Sequence, residues 1–481
     1  MVGVLVVVVA LALLMWLAFR GVSILILAPA LGALVVAATF EQPVLATYTQ
    51  VFMVAVGGFI VSYFPVFLLG AIFGKLMEDS GSADALANAI SRRLGTPRAI
   101  LAVVASCALM TYGGVSLFVV AFAVFPIAAA LFRRADLPKR LIPGTIALGA
   151  FTFTMTALPG TPAIQNAIPM PYFGTSAFAA PGLGILTGAL MFGLGLAWLQ
   201  YRARRAAGEG YGDHPDTPPQ PDAMMRERAS GEGFDVAEAL PAAPAREPPP
   251  TAVAVLPLVL VIAVNLAFTT FVIPAMDTDY LAAVEYGATT VESVRGLWSI
   301  IAGLVVAIVV LVALNWSRLP QPARTLDSGA NASLLPIFNT ASLVGFGATV
   351  ASLPAFALIR DAVVGVGGEN PLISQAISVN LLAGMTGSAS GGMSIALSTL
   401  GETYRDMADA AGIAPDLMHR VVAVATGGLD ALPHNGAVIT LLAICGLTHR
   451  DSYLDIAVVA VAIPIVALVF LIGMGTVFGS F

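Results

Sequence analysis

Along much of this chain, apolar residues run for about 20 positions at a time, at 2–19, 21–39, 178–200, 251–273 and 455–478. Runs of that length cross the hydrocarbon core of a bilayer as helices. No stretch alternates apolar and polar residues with a period of two, which excludes a membrane-spanning barrel. Other apolar blocks are broken in the middle by small, hydroxyl-bearing or proline residues. Thr111-Tyr112-Gly113-Gly114-Val115-Ser116 breaks the block 99–132, and Ser388-Ala389-Ser390-Gly391-Gly392-Met393-Ser394 breaks 372–400. Leu158-Pro159-Gly160-Thr161-Pro162 interrupts 140–168, and Leu432-Pro433-His434-Asn435-Gly436 interrupts 417–447. The breaks come in pairs: Gly113 to Gly391 is an offset of 278, Pro138 to Pro415 of 277, and Leu158-Pro159 to Leu432-Pro433 of 274. A whole unit is therefore repeated, and the pattern predicts an all-α polytopic membrane protein built from two copies of it.

Composition sharpens this. Of 481 residues, 58% are hydrophobic and 10% charged, with mean hydropathy +0.92, outside the range of soluble domains. A net charge of -6 offers no basic surface for nucleic acid. No glycine-rich phosphate loop ending in Lys-Ser or Lys-Thr occurs, so ATP is not the expected energy source and no cofactor is called for. Cys107 and Cys445 lie inside apolar segments and read as packing residues, with neither a disulfide nor a metal site implied. The amino terminus lacks a basic leading region and a cleavage site, so its apolar run, ending at Arg20, reads as the first span.

Basic residues set the orientation, because cytoplasmic connections collect Lys and Arg. Arg20 follows span one, the connection around Glu41 has neither, and Lys75, Arg92, Arg93 and Arg98 follow span three. The amino terminus is thus expected outside. Block 99–132 begins after one basic loop and ends at another, Arg133, Arg134, Lys139 and Arg140, so both its ends are cytoplasmic. A block that returns to its starting side, broken at Tyr112-Gly113-Gly114, is either two short spans or, the preferred reading, a re-entrant hairpin. Span 140–168 then exits and 178–200 returns, ending at Arg202, Arg204 and Arg205. Residues 1–200 therefore form repeat one, with five spans and one hairpin. The proline-rich, mixed-charge stretch 201–250 reads as a disordered cytoplasmic linker. Residues 251–481 form repeat two, running through 251–273, 296–315 and 333–358, a second hairpin at 372–400, then 417–447 and 455–478. With an odd number of spans per half, the second copy is inverted. The expected setting is the cell's inner (plasma) membrane.

Inverted repeats allow two mirror-related shapes of similar energy around a midplane site, the requirement for alternating access. A helix that stops in mid-membrane leaves N–H groups unpaired, so its positive end can face an anion. The candidate ligand-binding residues are Thr111, Tyr112, Gly113, Gly114 and Ser116 from the first break, and Thr161 with Gln165 and Asn166 beside the second. The later breaks add Ser388, Ser390, Gly391, Gly392, Ser394 and Asn435. The competing reading is that small residues only let helices pack closely, and that the serines bond a carbonyl one turn back. Two glycine pairs in step with two Leu-Pro breaks favour a site. Asp430 and His434, spaced i and i+4, are the notable deep ionisable residues, and a carboxylate beside an imidazole suits proton coupling. Gly74 to Gly81 reads as capping and orientation. An intramembrane serine protease using Ser390-Gly391 and His434 would need a unique site, which the duplication contradicts, and a channel is the other alternative.

Gly74 to Gly81, the Thr-Tyr-Gly-Gly-Val-Ser break, Thr156 to Pro162 and Leu432 to Gly436 together resemble the gluconate permease (GntP) family of the ion transporter superfamily. The resemblance implies two inverted repeats with opposed hairpins, a scaffold domain and a transport domain that moves against it in elevator fashion, and a homodimer. It implies a proton-coupled symporter, not an enzyme, for gluconate, related sugar acids or hydroxybutyrate-type monocarboxylates, held at the hairpin tips and broken helices. The loop Leu158 to Pro162 differs from that of typical gluconate carriers and favours a smaller hydroxy or keto acid. No Lys or Arg falls in the expected pocket, which suits a small monocarboxylate. A sodium-coupled di- or tricarboxylate carrier is the alternative, with sodium on freed carbonyls supplying charge.

Overall fold

A computed structural model describes residues 2–20, 22–213, 216, 248–368 and 370–481. Among them every regular element is helical, and the molecule is a polytopic membrane protein. Among the described residues six helices are long and apolar enough to span a bilayer, or seven if the bent pair Ser82–Leu94 and Thr96–Tyr112 counts as one.

The first half opens with α1 (Val2–Phe19), α2 (Ile24–Thr39) and the 36-residue α3 (Val44–Asp79). At about 1.5 Å per residue α3 exceeds the ~30 Å hydrocarbon core, so it tilts or protrudes. Gly81, with φ of 71°, turns the chain into the amphipathic α4 (Ser82–Leu94), which ends at Gly95 with Arg92 and Arg93 in its last turn. The chain then bends by 105° into α5 (Ala99–Tyr112). Residues 113–116 form the tip of a hairpin whose second arm is α6 (Leu117–Arg134). The next span is broken into α7 (Ile142–Ala150), α8 (Phe153–Thr156), α9 (Ile164–Ala167) and α10 (Pro169–Phe173), and α11 (Pro181–Arg205) completes the half.

The second half comprises α12 (Thr251–Ala275), α13 (Val291–Arg318), α14 (Pro322–Ala351) and the short α15 (Phe356–Gly365). A hairpin follows, α16 (Pro371–Thr386) and α17 (Ala389–Ala411), then a broken span, α18 (Pro415–Leu429) and α19 (Gly436–Ile444), and finally α20 (His449–Phe478). In α14, 72% of the apolar window is buried, against 28% in α12, so α14 is the central helix; it packs on α2, α3 and α17.

Three boundaries differ from the sequence reading. The segment 333–358 is not one span: α14 ends at Ala351 and the chain turns through Ser352 to Pro354, since the residue before a proline is pushed out of helical geometry. Helix α11 runs on to Arg205, five residues into the stretch read as linker, with three arginines favourably placed against its C-terminal dipole. Residues 206–213 and Asp216 fold back on the loop after α6: Lys139 donates its N–H to the Tyr211 carbonyl at 3.0 Å, Arg133 and Lys139 pair with Asp216, and Arg140 pairs with Glu209. Of the expected linker, 214–215 and 217–247 lie outside the described residues. The third difference is the second hairpin's tip, which lies at Gly387-Ser388. Ser388 accepts the Gly391 N–H at 3.1 Å and so caps α17, which places Ser390, Gly391, Gly392 and Ser394 inside the helix.

Candidate functional site

Breaking a helix frees backbone groups, and where those groups find partners decides what is left for a ligand. At the first hairpin tip, Gly114 has φ of 96°, and a Cβ there would lie 2.7 Å from Pro162 Cγ. Only glycine combines that backbone with so close an approach, so the tip rests directly on the first broken span. Tyr112 Oη reinforces the contact by donating to the Pro159 carbonyl at 2.6 Å. Gly113 meets Leu258 of α12.

Two adjoining cavities open beside this contact. The larger, about 650 Å³ counted with its mouth, is lined by α3, the hairpin tip, the first broken span and the stretch Ala332 to Pro336 of α14. Thr111, Gly114, Ser116 and Gln165 are on its wall. Thr111 Oγ1, Ser116 Oγ and Gln165 Oε1 are buried without a hydrogen-bond partner, a costly state for polar atoms unless something else supplies the bond. Ser116 stands immediately before α6 and makes no side-chain cap to it, so the amides of that first turn also face the cavity region uncapped. The smaller cavity, about 380 Å³, shares Leu117, Met155 and Gln165 with the larger and adds Thr156, Asp430 and Asn435. Three of the four breaks thus share one space.

The fourth is attached to it through the second broken span. Asn435 donates from Nδ2 to the Gly387 carbonyl at 3.0 Å and to the Asp430 carbonyl, and accepts at Oδ1 from the amides of Ala437 and Val438. Its side chain is spent on holding the loop and capping α19. His434 Nε2 donates to the Gly384 carbonyl at 3.0 Å. Ser390 approaches Thr340 Oγ1 at 3.4 Å, Gly391 abuts Leu343, and Gly392 abuts the Ala383 backbone. None of Ser388, Ser390, Gly391, Gly392 or Ser394 lines either cavity, although Ser394 Oγ is also buried without a partner. The run packs the hairpin arms together and against α14. From Pro336 on the cavity wall to Thr340 is about 6 Å along α14, so one helix supports both hairpin tips.

Residues 1–188 match the family described as GntP family permease. Over 454 residues, 93% of each chain, the sequence is 45% identical to a Bacillus subtilis protein named uncharacterized transporter YxjC. The chain belongs to the GntP permease family. An uncharacterized transporter of Haemophilus influenzae is 33% identical over 117 residues, which are 24% of the permease and 28% of that protein. In fold the permease is similar to the crystal structure of the YdaH transporter of Alcanivorax borkumensis, with a TM-score of 0.55, 88% of each chain covered and 15% identity, a likeness of fold alone. Family and relatives mark a membrane transporter and not an enzyme.

The permease also holds a buried pair, His419 and Arg420, that sequence reasoning passed over. Arg420 is fully buried in α18 and donates to the carbonyls of Ala179 at 2.7 and 3.1 Å and of Thr156 at 3.1 Å, and to Asn166 Oδ1 at 3.2 Å. Asn166 Nδ2 donates to the carbonyls of Thr161 and Ala177, each at 3.0 Å, which fixes the amide's orientation. With Oδ1 also receiving His419 Nε2 at 3.1 Å, Asn166 has all its hydrogen-bonding capacity engaged and none over for a ligand. His419 Nδ1 and the Thr175 hydroxyl share a hydrogen bond of 2.6 Å, so both ring nitrogens are engaged inside the protein. Thr161 is likewise turned inward, its Oγ1 accepting from the Ala163 amide at 3.3 Å. In sequence, His419 and Arg420 at the start of an apolar run carry no local sign of burial; it becomes visible only when the loop 174–180 is folded over them.

Proposed function

We propose that this permease is a secondary active transporter of small organic acid anions, gluconate or hydroxybutyrate-type monocarboxylates, coupled to protons. The supporting observation is the convergence of Thr111, Ser116 and Gln165, three buried polar groups without protein partners, on a cavity at the uncapped start of α6. A carboxylate takes hydroxyl, amide and helix N-terminal donors together, and neither cavity wall carries a Lys or Arg that a polyanion would want.

Proton coupling is supported by what the breaks do with their carbonyls. Those of Thr156, Pro159, Thr161, Ala177 and Ala179 in the first half accept bonds from Arg420, Tyr112 and Asn166. In the second half those of Gly384, Gly387, Asp430, Ala431 and Pro433 accept from His434, Asn435, Tyr453 and His449. A sodium ion needs such oxygens free. Asp430, by contrast, faces the smaller cavity, where its ionised form would repel an arriving carboxylate; carrying a proton in with the anion removes the repulsion.

The duplication is part of the same reading. The residues that precede α6 and α17, Ser116 and Ser388, are 272 apart, and so are Ala163 and Asn435, which precede α9 and α19. Two inverted copies, 1–200 and 251–481, with re-entrant hairpins would place these starts around one midplane site, exposed alternately by an elevator movement in a homodimer of the inner membrane, amino terminus outside. The test is uptake of labelled gluconate and 3-hydroxybutyrate into proteoliposomes. Accumulation driven by an inward pH gradient without sodium is the expected result, and accumulation that requires a sodium gradient overturns the coupling assignment.

A further inference from the structure

Arg420 is a full positive charge, completely buried, with no carboxylate within 4 Å among the described residues. Such burial is costly and is retained where the charge serves something. Its hydrogen bonds all go to neutral oxygens, which orient and partly solvate a guanidinium but leave its charge in place. The neighbouring carboxylate offsets that charge only in part: Asp416 stands one helical turn back on α18 and is itself half-exposed. The fold makes specific room for the side chain. A Cβ on Gly184 of α11 would lie 3.3 Å from Arg420 Nε and collide with the Ala157 carbonyl. Two of the groups Arg420 holds belong to the cavity wall or adjoin it: Thr156 lines the smaller cavity, and Asn166 follows Gln165, which lines both. The charge therefore stands one layer behind the wall, too deep to touch a ligand but separated from it by low-dielectric protein.

We propose that Arg420 is the specificity-determining charge of this site: acting through the wall of the first broken span, it makes a cavity without any lining cation select anions over neutral molecules of the same shape. This rests on the organic-anion reading of the cavity. It differs from a purely structural staple, which would hold the same carbonyls in place and affect charged and uncharged ligands alike.

The experiment measures the dissociation constants of 3-hydroxybutyrate and gluconate, and of their uncharged primary amides, on the purified full-length permease. The readout is the preference of each anion over its amide. In Arg420→Gln this preference is expected to fall roughly tenfold or more, the scale of a unit charge acting through low-dielectric protein. In Arg420→Lys it stays close to the wild-type value even where both ligands bind more weakly. In Asp416→Asn it rises, because the charge that opposes Arg420 is gone. A wild-type preference near one, or a preference unchanged in Arg420→Gln while both ligands weaken together, overturns the proposal. Where the Gln protein does not fold, an unchanged preference in Asp416→Asn does so by itself. Wild-type protein that binds neither anion removes the organic-anion reading, and this inference with it; a wild type that prefers anions with variants that do not shift removes the inference alone.

Discussion

Ser116 and Asn435 hold the same place in their helices, the residue before the first turn, and behave in opposite ways. Asn435 accepts two amides of its own helix and donates to two carbonyls of neighbouring loops; Ser116 does neither, and its hydroxyl is left on the cavity wall. Asn435→Ala is accordingly expected to destabilise the fold by about 1–3 kcal/mol, from a lost cap and orphaned carbonyls, read as a drop in thermal unfolding temperature in detergent. Ser116→Ala should leave that temperature almost unchanged and weaken organic-anion binding about tenfold, the cost of one hydrogen bond to a charged group. A Ser116→Ala protein with wild-type affinity would move the site away from the first hairpin tip. Of the candidate residues named from sequence, Thr111, Gly114, Ser116, Gln165, Asp430 and Asn435 meet at the cavities, because a break that needs small or hydroxyl-bearing residues announces itself locally. Thr161 and Asn166 are turned inward; Thr161 takes the amide of Ala163 two residues on, but for Asn166 no local pattern could reveal it, since its Oδ1 is occupied by His419 and Arg420, 253 and 254 positions away.

At the scale of elements, the helices and their interruptions were legible and their register was not. A Leu-Pro pair in an apolar block disrupts helix geometry, so the helix interruptions at 157–163 and 430–435, and that at 113–116, fall where the sequence places them. The second glycine pair is different: Gly391 and Gly392 are helical, and their lack of side chains serves close packing against Leu343 and the Ala383 backbone. Whether a glycine pair breaks a helix or packs it depends on the neighbour. Gly392→Ala is expected to force the arms of that hairpin apart and to destabilise by about 1–3 kcal/mol, whereas Gly473→Ala in α20, with nothing within 4 Å of a new Cβ, should be neutral or stabilise by up to about 1 kcal/mol. Thermal unfolding of the two variants side by side separates packing from propensity. The strap made by residues 206–213 and Asp216 offers a pH test. Burial raises the Asp216 carboxyl, but hydrogen bonds from Tyr211 and Lys139 with the charges of Lys139 and Arg133 outweigh it, leaving Asp216 below the usual carboxylate range. A depressed value means that its contribution is present above the ordinary carboxylate range and is lost as pH falls through the lowered one. Limited proteolysis within 206–213 should therefore stay slow at neutral pH and accelerate only in strong acid, while Asp216→Asn should be cleaved faster already at pH 7.

For the whole molecule, the proposed proton-coupled transport turns on how substrate and proton meet. Asp430 is placed to feel both, on a wall that also carries Gln165 and Thr156, whereas His434 holds the Gly384 carbonyl of the second hairpin. Asp430→Asn is expected to abolish accumulation driven by a pH gradient while substrate exchange across the liposome membrane persists. His434→Gln, whose amide can donate to the same carbonyl, should retain gradient-driven uptake; its loss would place the imidazole in the proton path beside Asp430.

By itself the sequence determined that this is an all-helical membrane protein with paired interruptions, because hydrophobic run length and backbone-breaking chemistry act over a few residues. Tertiary structure decided which polar groups are free. Arg420 reaches the Thr156 carbonyl across 264 positions and Tyr112 the Pro159 carbonyl across 47; such long-range bonds consume the oxygens that the breaks release and leave Thr111, Ser116 and Gln165 without partners. Hydrogen-bond satisfaction is settled by whichever groups the packed chain brings within about 3 Å, and that proximity is written in no local stretch of residues.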